Sequence, residues 1–88
     1  MARLMPRRTS PPPPNAKLNV LGTELRRLRE AGGMLQTELA VKLQKAGWDI
    51  EMATLSRIES GARTLTDVEL VFILEILGRR FGDLDRER

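Results

Sequence analysis

The donors best placed for recognition chemistry lie in residues 51–60, EMATLSRIES, where Thr54, Ser56 and Arg57 sit within one helical turn of each other. Arg57 offers a planar guanidinium fork, the side chain that most often reads a guanine edge. The hydroxyls of Thr54 and Ser56 are either further donors or neutral helix surface. Glu51, Met52 and Ala53 complete the stretch and are poor base readers. This is chemistry of binding rather than of bond making. The chain has no Cys and no His, so it has no thiolate or imidazole metal ligand, no disulfide and no His-activated nucleophile. Neither a Gly-Lys-Ser/Thr phosphate loop nor a G-x-G-x-x-G run occurs, and no pair of carboxylates stands out for acid–base work. Enzymatic activity, a bound metal and a cofactor are therefore not expected.

The elements that must hold these residues follow from apolar spacing. Leu39, Ala40 and Leu43 recur at i, i+1 and i+4, predicting a helix over about 36–46 that Gly47 stops, with Lys42 and Lys45 in the last turn. Leu55 and Ile58 form the thin apolar seam of a helix over about 51–60 ended by Gly61. A seam that narrow packs one face only, which turns Met52, Ala53, Ser56 and Arg57 outward. Upstream, Leu18, Leu21, Leu25 and Leu28 at i, i+3, i+7 and i+10 predict a helix over 18–31, closed by Gly32-Gly33. Downstream, Thr66-Asp67-Val68-Glu69 fits a capping box before Leu70, Val71, Phe72, Ile73, Leu74, Ile76 and Leu77. That fourth helix is apolar all round, so it is read as central in the core and as the best candidate for a dimer contact. Residues 79–84 are read as a short fifth helix with Phe81 and Leu84 inward. Trp48 is expected to anchor the turn between the two central helices, with stacking on a base as the alternative.

Gln36, Glu38, Leu39, Ala40 and Leu43, followed by Leu55-Ser56-Arg57-Ile58-Glu59-Ser60-Gly61-Ala62-Arg63, resemble the Cro/C1-type (Xre-like) helix-turn-helix domains of phage repressors and related regulators. The likeness runs over about residues 20–84, through Leu25-Arg26-Arg27-Leu28-Arg29 and Asp67-Val68-Glu69-Leu70. It departs from the family in a longer central turn, in Leu35 where the family has Ser or Thr as a cap, and in Glu51 at the next cap. What the resemblance implies is an all-α, compact five-helix, lambda-repressor-like domain whose third helix enters the major groove of double-stranded DNA. It also implies that Gln36 and its backbone N–H hold a phosphate, that Arg63 holds another, and that residues from Glu51 to Arg57 line the groove. Arg29 would pair with Glu59. Binding as a homodimer on two half-sites is the usual corollary.

Length and charge bound the rest. Eighty-eight residues suffice for one small domain, so a sensing module is expected on another chain or not at all. The net charge is +3, with 15 Lys and Arg against 12 Asp and Glu. Residues 1–17 carry four of those cations and no acid, which leaves residues 18–88 at −1. All five Pro lie in 1–17, four of them consecutive, predicting a disordered arm with a polyproline II segment. It is read as an inert tail, as a basic arm along the DNA backbone or minor groove, or as a Pro-rich ligand. The expected organisation is arm 1–17, domain 18–85 and frayed end 86–88. No apolar run reaches membrane-span length and the first residues lack a signal-peptide core, which fits a cytoplasmic protein. The leading expectation is a small transcriptional repressor. The alternative is an antitoxin or accessory subunit on the same fold that engages a protein partner and whose DNA binding is weak or lost.

Overall fold

The computed structural model describes residues 17–84. Four α-helices follow one another: α1 (Gly22–Ala31), α2 (Gln36–Lys45), α3 (Met52–Ser60) and α4 (Asp67–Leu77), then a single 3-10 turn over Phe81–Asp83. The expected arm and frayed end fall outside the described residues, apart from Lys17 at the arm's edge.

Helices form where the apolar seams predict, because each seam finds the others. Leu25 and Leu28 of α1, Leu39, Ala40 and Leu43 of α2, Leu55 and Ile58 of α3, and Leu70, Ile73 and Leu74 of α4 close into one core, with Ile50 from the central turn. Six of these side chains are essentially inaccessible, Leu39, Leu43, Leu55 and Ile58 among them. Burial of each contributes about 1.5–3 kcal/mol. α3 packs on α1 and α2, while α4 packs on the same two helices.

Two expectations are corrected. The first helix begins at Gly22, not at residue 18, and Leu18 is about half exposed. The periodicity of Leu18 and Leu21 is real, but Asn19 diverts the backbone. Its Oδ1 accepts from the Gly22 N–H, and its Nδ2 donates to the Ile58 and Arg63 carbonyls at 3.0 and 2.8 Å. Those long-range bonds outweigh the local helical pattern. The expected fifth α-helix is a three-residue 3-10 turn, tied down when Asp83 accepts from the Arg80 N–H at 2.8 Å. Leu84 packs on the core as expected, whereas Phe81 lies outward at 56% exposure.

The long central turn is packed rather than loose. Gln44 belongs to α2, and its amide donates to the Ile50 carbonyl at 2.7 Å. The Trp48 N–H returns to the Leu43 carbonyl, and the indole stacks on Phe72 of α4 at 6.0 Å between centroids. Trp48 is therefore the core anchor of the turn, not a free stacking platform. Thr66 and Glu69 form the anticipated capping box, each side chain bonded to the other's N–H at 3.1 Å.

Candidate nucleic-acid interface

The candidate interface lies on α3, whose inward face is fixed by charge as well as by packing. Glu59 is 2% exposed and Arg29 7% exposed. Arg29 donates from Nε and Nη2 to the two Glu59 oxygens at 2.8 and 3.0 Å, a bidentate fork of the strong, directional kind. Its remaining Nη1 donates to the Met34 carbonyl at 2.7 Å. Gln36 adds a third donor to Glu59, with Nε2 at 2.9 Å from Oε1. One carboxylate thus ties together the end of α1, the start of α2 and the end of α3. Hydrogen bonding to Glu59 raises the Arg29 pKa against the opposing effect of burial, and attraction to the same carboxylate adds to it. The guanidinium stays charged.

The same end of α3 is also held by close approach. Gly22 sits so near the Ile58 carbonyl that a Cβ there would lie 1.8 Å from its oxygen, so only glycine lets α1 reach α3. Gly61 closes α3 at φ +84°, in the left-handed region that glycine enters without penalty, and the Leu18 N–H donates to its carbonyl at 2.7 Å.

With Leu55, Ile58 and Glu59 inward, the opposite face of α3 is left to solvent. Met52, Ala53, Ser56 and Arg57 are all exposed there, at spacings of one helical turn. Arg57 makes no ion pair or side-chain hydrogen bond among the described residues, so its fork is free to meet a ligand. Thr54 is half-buried on the flank. Glu51 is the exposed N-cap of α3, with extended backbone and no side-chain cap.

The other two positions are already engaged. The half-buried Gln36 amide belongs to Glu59 as described. At the start of α2 Leu35 offers no capping oxygen, and only Glu38 reaches back, accepting from the Leu35 N–H at 2.7 Å. Among the described residues the first-turn amides of α2 are consequently without a side-chain partner, and with the helix dipole they favour an anion. Arg63 forks onto Glu69 at 3.1 and 3.2 Å. That bond, opposed by partial burial and helped by the Thr66 N–H, holds the Glu69 carboxyl below its ordinary pKa. Arg63 must leave Glu69 or share it to hold a phosphate.

Asn19 is the positioning residue that sequence reasoning missed. The signal available was its type, since Asn ahead of a helix favours side-chain to backbone capping. The partners on α3 and the following loop lie some forty residues away. Among the described residues no cluster of acids could hold a metal ion, and no helix is long and apolar enough to cross a membrane.

No curated protein and no solved structure matches the chain. A family model described as a helix-turn-helix domain matches residues 20–86, spanning all four helices, and that match is consistent with the Cro/C1 type. The chain belongs to the helix-turn-helix domain family.

Proposed function

We propose that the protein binds double-stranded DNA sequence-specifically, inserting α3 into the major groove, and acts as a small transcriptional regulator, most simply a repressor. The observation that carries this reading is the two-sided character of α3. One face is fixed by core packing and a saturated buried ion pair, while the other presents the Arg57 fork, unpaired among the described residues, between small side chains that let a groove approach. Arg57 is the base reader in this scheme. Ala53, Ser56 and Met52 supply surface, Thr54 and Glu51 border it, and the uncapped amides at Gln36 and its neighbours meet a phosphate. Arg63 is a second phosphate partner once released from Glu69. The protein engages a two-fold site as a homodimer.

Residues 18–88 sum to −1, so affinity depends on local cations rather than on bulk charge. Deleting residues 1–16, which removes Arg3, Arg7 and Arg8, lowers affinity on all sequences alike. It flattens the log–log salt slope by up to roughly 0.9 for each phosphate that no longer has a cationic partner. An unchanged slope makes those residues inert in binding.

One observation favours a second reading, an antitoxin or accessory subunit that acts through a protein partner. The outer face of α4 carries exposed Val68 and Val71 beside exposed Phe81. An electrophoretic shift with genomic DNA at low and moderate salt separates the two. Retarded complexes that survive moderate salt support DNA recognition, and their absence at both salts supports the protein partner.

A further inference from the structure

An open groove of about 520 Å³ runs along α4, lined by Val68, Val71, Phe72 and Phe81 and flanked by Asp67 and Glu75. Val68 is 74% exposed and Phe81 56% exposed, so the floor is apolar surface without cover. Every charged side chain that lines the groove is acidic. Neither carboxylate enters an ion pair among the described residues, although other surface acids do. The groove therefore suits an occupant that carries apolar residues between two cations.

The helix sets how far apart those cations must be. Asp67 and Glu75 lie on one face of α4, roughly 12 Å apart along an axis that rises about 1.5 Å per residue. Residues 3–7, RLMPR, carry that pattern. Pro6 disfavours helical backbone at Met5 before it, and extended or polyproline II chain sets Arg3 and Arg7 about 12–13 Å apart. Leu4 and Met5 lie between them, and residues 1–17 contain no acid to compete for the arginines.

The chain also enters the fold beside the groove. Leu18 and Asp67 line one common hollow, so the segment ahead of Lys17 starts near the N-terminal end of α4. Residues 9–16 reach roughly 26 Å when extended, about twice the length of the groove. A tether that short holds its end at about millimolar local concentration, where a contact too weak to form between separate molecules is populated.

We infer that the α4 groove is the docking site of residues 3–7 of the same chain, with Leu4 and Met5 against Val68, Val71 and Phe81 and the two arginines on Asp67 and Glu75. Groove and phosphate are alternatives for these arginines, so docking is a property of the DNA-free protein. It does not rest on DNA recognition and is tested without DNA.

The chain has no Cys, so Ala2→Cys carries a single nitroxide label, and paramagnetic broadening of amide resonances in the full chain reads where residues 3–7 dock. At low salt the amides of Val68, Val71 and Glu75 broaden, while those on the outward face of α3 do not. Salt of about 1 M, where screening acts within about 3 Å, removes the broadening. So does Asp67→Lys/Glu75→Lys, with far-UV circular dichroism confirming the fold. Arg3→Glu/Arg7→Glu/Arg8→Glu, whose changes lie outside the four helices, removes it as well, and the two sets combined restore it. A mixture of labelled chain with isotope-enriched, unlabelled chain shows none, because the contact forms within one molecule. Broadening spread evenly over the surface, reversal variants that broaden undiminished, or a combined variant that does not recover would each overturn the inference. Equal broadening in the mixture would overturn it too, by assigning the groove to a second copy.

Discussion

The inward and outward faces of α3 are opposites in how their groups are satisfied. Inward, Leu55 and Ile58 are inaccessible, and both Glu59 oxygens are taken by Arg29 and Gln36. Outward, Arg57 has no side-chain partner among the described residues and its neighbours are small. Such a helix is held in orientation by its inward side chains, while its outward side chains contribute little to the fold and are open to a ligand. Stability and recognition should therefore separate by face, and substitutions can be chosen to break that separation.

Arg29→Ala should have the largest effect on stability, about 3–5 kcal/mol, because it strands Glu59 as an unpaired buried charge. At about 4–8 °C per kcal/mol for a domain of this size, thermal melting against Arg27→Ala reads it clearly. Arg27 lies on the exposed side of α1 in a surface pair with Glu24, and a comparable loss in both variants would refute the buried network.

Gly22→Ala comes next, at about 1–3 kcal/mol or somewhat more, since its Cβ would collide with the Ile58 carbonyl rather than with a movable side chain. Urea unfolding gives the value. A neutral result would mean that α1 and α3 do not approach as closely as described.

These two residues also show what is legible in the sequence. The seams of α2 and α3 are, because each helix carries its own apolar spacing and a glycine at or just past its end. The capping box of α4 is too, being wholly local. The start of α1 is not, since Leu18 and Leu21 continue the periodicity while the bonds that override it run from Asn19 to residues far along the chain. Apolar character alone reads Phe81 as inward, but the 3-10 turn offers it no place in a core that Leu84 and the α4 residues already fill. In the candidate site, the outward set on α3 follows from the width of its seam. The engagement of Gln36 with Glu59 and of Arg63 with Glu69 depends on folded geometry that spacing does not encode.

The smallest effect concerns Arg63 and Glu69, which border the interface without facing it. Glu69 has its pKa lowered in the folded protein, so its contribution is present above the ordinary carboxylate range and is lost as pH falls through the lowered value. The pair is partly exposed, which limits it to at most about 1 kcal/mol. Glu69→Gln should melt slightly lower at neutral pH and lose less stability on acidification than the wild type. Parallel acid limbs for the two proteins would show that the fork is not formed in solution.

The central claim, that the free face of α3 reads DNA, is tested most directly by selecting bound duplexes from a randomised pool with the wild-type chain and with Arg57→Ala. The wild-type chain should enrich one two-fold sequence. Arg57→Ala should melt normally and lose about 1–3 kcal/mol of discrimination at the base pair it reads in each half-site, with the salt dependence of binding nearly unchanged. Enrichment of the same sequence with equal stringency by both proteins, or no enrichment by the wild type, would contradict it.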